Sequence, residues 1–494
     1  MNFNSLSFAI FCPIVFVLYW AVKDRYKWII LLASSYYFYM CWNVKYIVLI
    51  FGTTLISYIC ALLLEKADSR KLKKLILASA LVICLGVLFV YKYYNFTMET
   101  IVKVTDRFSI HLNPVTSKLL LPVGISFYTF QTLSYVIDVY RGDLKAEHHF
   151  GKYAAFISFF PQLVAGPIER ADNLLPQIKE PKKFDYDNAA YGMRLAIVGF
   201  FKKLVIADNL GMFVDYVYQA EYFAGVHVIL AIFAFSIQIY CDFSGYSDIA
   251  IGTAKLFNIN LIKNFDSPYF SASVKEFWRR WHISLSNWFR DYLYIPLGGN
   301  RRGFMVSKLN VIFVFLVSGL WHGAGWNYVV WGGMHGVAQL FNNRKVNKNV
   351  KHNAVWWLKV LLTPLTMCRH SNLWQTSSKV ARFLFVTLTW MVFRLGITET
   401  VNMLSGLSWR WCSFSESMDR IVDNTLLTHA KLALVAVCSV VLMVYDYFSL
   451  KRDLLKEFGR LNVVVRCAVY VFMIMFILLE MPLVVTSRFI YFQF

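Results

Sequence analysis

An all-α protein threaded many times through a lipid bilayer is the fold class predicted by this sequence, and three observations predict it. Of 494 residues, 58% are hydrophobic and 18% aromatic, and only 16% are charged. Ordinary soluble domains carry about 25% charged residues, so the chain has too little polar surface for water and must face lipid. Its apolar runs reach the roughly 20 residues a helix needs to cross the hydrocarbon. Basic residues gather in the short loops between those runs.

The runs follow one another from the N-terminus. Leu6–Val22 is read as a first helix and not as a cleavable leader. It has no basic stretch before it, contains Pro13, and passes straight into Lys23-Asp24-Arg25. Trp28–Trp42, Tyr46–Leu64 and Leu75–Tyr91 come next, then Leu119–Ile137, Leu195–Ile206 and Val226–Tyr240. Val311–Val330, Val355–Leu365, Val380–Phe393, Leu432–Tyr447 and Val463–Val484 complete the series. Together they predict about eleven crossings. Phe156–Ile168, broken by Pro161 and Gly166-Pro167, reads as re-entrant, a backbone that survives at membrane depth only under protein cover. No linker, repeat or low-complexity tract divides the chain. One membrane domain over 1–494 is expected, with a core at about 119–342 and further helices at 343–494.

The formal charge of +21 points to nucleic acid or to a membrane, and its placement decides. Lys23–Lys27, Lys66–Lys74, Arg279-Arg280, Arg301-Arg302 and Arg344–Lys351 sit in loops, a positive-inside pattern that puts the N-terminus outside and these loops in the cytoplasm. Nucleic-acid binding needs a folded basic surface in water, and none is available. The nine cysteines are scattered singly without a C-x-x-C pair, so they read as apolar packing residues, and no metal site is predicted.

Polar side chains are costly in a membrane, and here they concentrate between Gln238 and His335. In Asp242-Phe243-Ser244-Gly245-Tyr246-Ser247-Asp248, the carboxylates Asp242 and Asp248 are either charged site residues or buried acceptors paired with a cation, and structure-holding is favoured over catalysis. The stretch Phe277–Asp291, read as one helix, places Trp278, Trp281, Leu285, Trp288 and Tyr292 on one stripe and Arg279, His282, Ser286 and Arg290 beside it. A membrane-boundary anchor explains the Trp and Arg residues but leaves His282 without a purpose.

Val317–Asn327 carries His322 between Trp321 and Trp326, with Gly323 and Gly325 alongside. A helix starting near Lys308 puts His322 about 20 Å from the basic loop, past the middle of a hydrocarbon core about 30 Å thick. The glycines leave room for a substrate or another backbone to approach. A lone histidine in a soluble core usually only packs, whereas one at this depth favours function. For His335, packing and function weigh equally. Imidazole suits acyl transfer because its ordinary pKa near 6.5 lets the neutral ring accept a proton from an attacking hydroxyl at about neutral pH. There is no G-x-S-x-G and no cysteine beside His322, so direct attack of an alcohol on a thioester is the simplest chemistry.

Four stretches carry a resemblance: Leu121–Tyr128, Phe159–Pro167, Asp242–Gly252, and Arg279–Gly299 followed by Gly319–Gly336. On these residues the chain resembles the membrane-bound O-acyltransferase family, most closely the bacterial polysaccharide O-acetyltransferase branch typified by alginate O-acetylation. The likeness runs to about residue 340 and departs at Asn258, where a glycine is expected. It implies helices ringing a thin centre, a cytoplasmic tunnel for the acyl donor, and a funnel on the other face. It also implies His322 as the catalytic histidine and His282 as a second functional one. Trp321, Trp326, Asn327, Asp242, Ser244, Asp248, Arg279, Arg280 and Ser286 become candidates for the substrate path. The donor implied is acetyl-CoA, a substrate and not a bound cofactor, with the basic edge at Arg279, Arg280 and Arg301 suited to its phosphates. The chain shows no extracytoplasmic esterase-like module, so the acceptor polysaccharide is expected to be reached directly or through an exported acetyltransferase partner. The location implied is the bacterial inner membrane. A sibling acyltransferase for a lipid, a protein or D-alanyl teichoic acid is the near alternative. A polysaccharide transporter is the distant one, and it requires paired broken helices in two related halves.

Overall fold

Every regular element among the described residues is a helix, the form in which one segment meets all its own backbone hydrogen bonds in lipid. The computed structural model describes residues 1, 3–114, 116–117, 119–164, 166–219, 225–340, 372–407 and 413–481, with only the backbone for 372–378. The expected loop Arg344–Lys351, the run Val355–Leu365 and the end of Val463–Val484 lie outside these residues. Six helical stretches are long and apolar enough to cross a membrane: Val44–Lys66, Arg70–Asp106, Gly225–Leu256, Phe304–His322, His429–Ser449 and Val463–Glu480. The chain is thus an all-helical, multi-pass membrane protein.

The N-terminal run forms α1 (Leu6–Ala21), capped by Ser5, whose Oγ accepts from the Phe8 N–H at 3.2 Å. The next two runs form α2 (Lys27–Met40) and α3 (Ile47–Lys66). The expected run Leu75–Tyr91 belongs to a longer rod: α4 (Arg70–Leu88) continues through a π turn, Phe89–Tyr93, into α5 (Tyr94–Asp106). The next helix, α6 (Ile125–Arg141), begins later than its apolar run because Gly124, at φ 75°, turns the chain just before it. A Cβ on Gly124 would lie 2.5 Å from the Leu163 carbonyl oxygen. Two of the four resemblance motifs therefore meet backbone to backbone.

The Pro-broken stretch forms α7 (Phe150–Ser158) and the single turn α8 (Phe160–Leu163). Phe156, Ile157, Phe159 and Phe160 are fully buried, as such backbone requires. Its loose ends are tied by side chains: Gln131 and Gln162 Nε2 donate to Phe156 O at 3.0 and 2.9 Å, and Phe160 N donates to Ser35 Oγ at 3.0 Å. The chain then forms α9 (Ala171–Lys179) and α10 (Tyr186–Phe200), whose π turn Phe201–Ala207 leads into α11 (Asp208–Gln219). The buried α12 (Gly225–Leu256) ends at Asn258, which is left-handed at φ 55°. Asparagine tolerates that conformation, and its side chain bonds Asn188 and Lys183, so the departure from glycine keeps the turn.

Short helices α13 (Val274–Arg280) and α14 (Ile283–Phe289) precede α15 (Phe304–His322) and α16 (Trp326–Leu340). After them come α17 (Asn372–Leu395), α18 (Ile397–Gly406), α19 (Phe414–Asn424), α20 (His429–Ser449), α21 (Leu454–Phe458) and α22 (Val463–Glu480). One contiguous buried cluster reaches from Phe3 to Ile477.

The described basic loops share a face. Trp20 Nε1 donates to Leu256 O at 3.1 Å and Lys27 Nζ to Lys182 O at 2.6 Å. His148 meets Glu65 at 2.9 Å, and Arg141 Nη2 donates to Asp291 O at 3.1 Å. At the opposite end, Tyr46 OH donates to Leu120 O at 2.8 Å and Tyr93 OH to Leu320 O at 3.0 Å.

Candidate active site

The expected single run Val311–Val330 is a hairpin, because Gly323-Ala324-Gly325 ends one helix before the next begins. α15 and α16 touch backbone to backbone. A Cβ on Gly319 would lie 2.1 Å from Tyr328 O, and one on Gly332 would lie 2.2 Å from Phe315 O. His322 is the last residue of α15 and is 3% exposed. The helix starts at Phe304, four residues earlier than expected, so His322 stands about 27 Å along it, near the face opposite the basic loops. Its ring is enclosed by Trp321 at 5.1 Å, Trp331 at 5.2 Å, Phe393 of α17 at 5.6 Å and His282 at 6.4 Å between centroids. The space beside Gly323 is filled by Tyr328, whose ring a Cβ would meet at 2.1 Å, so no substrate approaches there.

The Phe277–Asp291 stretch is not one helix. His282 adopts φ 45°, in the left-handed region, and separates α13 from α14. The break cancels the stripe expected to join Arg279, His282, Ser286 and Arg290. It turns the His282 ring into the core, where it is fully buried, while Arg279 stays exposed. A non-glycine residue in this region is strained and needs its surroundings to hold it. Asn264 does so. Its backbone carbonyl accepts from Ile283 N at 2.9 Å. Its Oδ1 accepts from Ser284 Oγ at 2.9 Å and Ser284 N at 3.3 Å, and lies 3.2 Å from His282 Nδ1. A backbone N–H can only donate, so this atom is the amide oxygen. The proton of a neutral His282 therefore sits on Nδ1, and the lone pair sits on Nε2. Phe243 at 4.7 Å and Phe127 at 6.3 Å flank the ring.

At the carbonyl end of α15, Lys92 Nζ donates to Trp321 O at 2.6 Å and His322 O at 3.2 Å, and lies 3.4 Å from Ser126 Oγ.

The other candidates divide. Trp321 is buried against Phe127 and Phe130 and belongs to the site. Trp326 is 57% exposed and packs on Phe96, so Trp331 takes its expected place in the wall. Asn327 Nδ2 donates to Phe393 O at 3.0 Å and so holds that ring over His322. Arg280 pairs with Glu276 at 2.9 Å and Asp266 at 3.5 Å. Ser286, half-buried, lies 3.5 Å from Trp281 O. Asp242 and Asp248 are structural acceptors: Lys203 bridges Asp242 at 2.5 Å and Asp208 at 2.7 Å, and Lys202 pairs with Asp248 at 2.8 Å. Ser244 is buried on α12 beside Phe243. His335 packs, accepting from Trp278 Nε1 at 3.2 Å and meeting Thr389 Oγ1 at 3.0 Å.

Two cavities open toward the basic face. The larger, of about 1120 Å³, is lined by cations that include Arg194, Lys255, Arg452 and Arg460, faces the carboxylates of Asp185, Asp187, Asp248, Asp446 and Asp453, and reaches Lys202, Tyr240 and Phe265. The Phe265 ring lies 4.9 Å from Phe243, which in turn covers His282. The smaller, of about 340 Å³, is bounded by Asp138, Arg170, Asp291 and Tyr292. His322 lines neither of them.

The profile of the family described as MBOAT, membrane-bound O-acyltransferase, matches residues 143–345. The chain is 38% identical to the probable alginate O-acetylase AlgI of Pseudomonas aeruginosa, over 80% of this chain and 72% of that one. It is 35% identical to the Azotobacter vinelandii protein of the same description, over 90% and 85%. It is 33% identical to the peptidoglycan O-acetyltransferase of Helicobacter pylori, over 91% and 89%.

Proposed function

Because the chain belongs to the membrane-bound O-acyltransferase family and is an acyltransferase, we propose that it takes an acetyl group from cytoplasmic acetyl-CoA and delivers it at His322 for O-acetylation of an extracytoplasmic polysaccharide. The observation that carries this reading is the enclosed pair His322 and His282, 6.4 Å apart, at the end of α15 farthest from the basic loops. In this reading a donor arriving from the basic face meets there an acceptor arriving from the other. The large cavity, separated from His282 by the rings of Phe265 and Phe243 and lined by more cationic side chains than aspartates, supports access of a phosphate-bearing donor from that face. With the positive-inside rule this face is cytoplasmic, the membrane is a bacterial inner membrane, and the crossings number about eleven.

In the reaction, the acceptor hydroxyl oxygen attacks the thioester carbonyl carbon. His322 accepts its proton, the C–O bond forms, and the C–S bond breaks. The coenzyme A thiolate leaves and recovers the proton from the imidazole. The polysaccharide is the acceptor either directly or by way of an exported acetyltransferase, as the alginate and peptidoglycan O-acetylating relatives suggest. The test is coenzyme A release and acetyl transfer by purified protein. His322→Ala at equal protein level is expected to lose on the order of 10²–10⁴ in rate. Turnover close to wild type in that variant removes His322 from the mechanism, and a wild-type protein that never consumes acetyl-CoA removes the donor.

A further inference from the structure

The last carbonyls of a helix have no partner within it and carry its negative end. In α15 the last three of those carbonyls belong to Leu320, Trp321 and His322, and one short segment meets all three. Lys92 Nζ donates to Trp321 O at 2.6 Å and His322 O at 3.2 Å, and the neighbouring Tyr93 OH donates to Leu320 O at 3.0 Å. Both residues lie in the π turn Phe89–Tyr93, within a helical stretch long and apolar enough to span the membrane. Lysine is expensive at such a position and ordinarily pairs with a carboxylate. Among the described residues Lys92 forms no salt bridge with one. Its Nζ faces the helix end, lies 3.4 Å from Ser126 Oγ, and stands over the Trp321 ring at 5.7 Å from the centroid. The π turn makes this reach possible, because the extra residue in the turn shifts the following side chains off the α-helical spacing.

We propose that Lys92 is a positioning residue for His322: from the π turn of the α4–α5 rod its Nζ clamps the carbonyl end of α15 and fixes the direction of the imidazole toward the attacking hydroxyl. The inference rests on the reading of His322 as the proton acceptor in acetyl transfer. Lys92 touches the backbone of His322 and acts through it. A displacement of about 1 Å at such a point is enough to cost on the order of 100-fold in rate.

The experiment compares full-length wild type with Lys92→Met, Lys92→Arg, Tyr93→Phe and His322→Ala, measuring kcat, the KM for acetyl-CoA and thermal unfolding of each. Lys92→Met is expected to keep KM within about twofold and lower kcat by about 10–100-fold. Lys92→Arg is expected to recover most of the loss, since a guanidinium also reaches two carbonyls. Tyr93→Phe, which removes one hydroxyl, is expected to lower kcat in the same direction by less, and it stands in for Lys92→Met if that variant does not fold. A kcat for the folded Lys92→Met within about threefold of wild type, or losses that follow the melting temperature and are not recovered by Arg, overturns the inference. If Lys92→Met does not fold, an unchanged kcat in Tyr93→Phe overturns it too. When His322→Ala is inactive, that result falls on Lys92 alone. A His322→Ala variant as active as wild type overturns both readings together.

Discussion

Asn264 bears the conformation of His282, and its removal has a cost that can be worked from the bonds it makes. Asn264→Ala takes away the oxygen that accepts from Ser284 N, from Ser284 Oγ and from His282 Nδ1. Two of these donors, the Ser284 N–H and the His282 Nδ1–H, are then buried without that acceptor, at about 1–3 kcal/mol each. The Ser284 hydroxyl, 3.5 Å from His282 Nδ1, can turn to replace one of them. The expected loss of stability is therefore about 1–3 kcal/mol with that rearrangement and about 2–6 kcal/mol without it. The effect on turnover is separate. Without the oxygen the imidazole is free to carry its proton on either nitrogen, and misplacing such a ring by about 1 Å costs on the order of 100-fold in rate. Coenzyme A release by the detergent-purified variant, measured beside a melting curve, reads both quantities. A folded Asn264→Ala protein with wild-type kcat would show that the backbone at His282 holds the ring without help, and the tautomer argument would fall with it.

Gly319→Leu is expected to separate α15 from α16, since its Cβ would lie 2.1 Å from a backbone oxygen. Overpacking of this kind costs about 1–3 kcal/mol or more, and a lowered melting temperature together with lost turnover is the result that checks it. Gly86→Ala is the control: nothing lies within 4 Å of its added Cβ, and stability should stay level or rise. Glu169, outside the spans, is buried, and burial pushes its carboxyl up to about 7 even though Asn173 and Ile262 N donate to it. The unfolded chain releases this proton near the ordinary 4.5 and the folded chain only near 7. The contribution of Glu169 to stability is therefore complete below about pH 4.5 and is lost as pH rises through about 7. Melting temperatures followed across that window should fall more steeply for wild type than for Glu169→Gln, and parallel curves would show that Glu169 does not titrate there.

The helices were legible because lipid leaves few options: apolar length and loop charge mark them directly. The burial of His322 was legible for the same reason, as an imidazole in an apolar run with glycines and tryptophans around it. The path around it was not. Trp326 and Trp331 have the same chemistry, and only the hairpin at Gly323–Gly325 decides which one faces the site and which faces outward. The break at His282 carried no warning because a left-handed turn is ordinarily announced by glycine. Asn264 lies in an aperiodic stretch where no spacing singles it out. Lys92, Lys202 and Lys203 were within reach. The cost that marks Asp242 and Asp248 as paired applies equally to lysines in the Leu195–Ile206 run and at the edge of Leu75–Tyr91, and following it would have led to Asp242, Asp248 and the end of α15.

The three π turns among the described residues, Phe89–Tyr93, Phe201–Ala207 and Arg290–Tyr294, bear on how this chain tolerates insertion and deletion. Each amounts to a surplus residue absorbed locally within a helix, so removing one residue returns the segment to α geometry and leaves the facing of the residues beyond it unchanged. A deletion inside a membrane helix usually ruins its packing. At these places it would leave an intact helix with Lys92, the Lys202–Lys203 pair or Asp291 aimed elsewhere. Two relatives of different length in these helices can therefore share every apolar position and still differ in whether the cations reach their partners, so alignment gaps within the membrane segments belong at these turns.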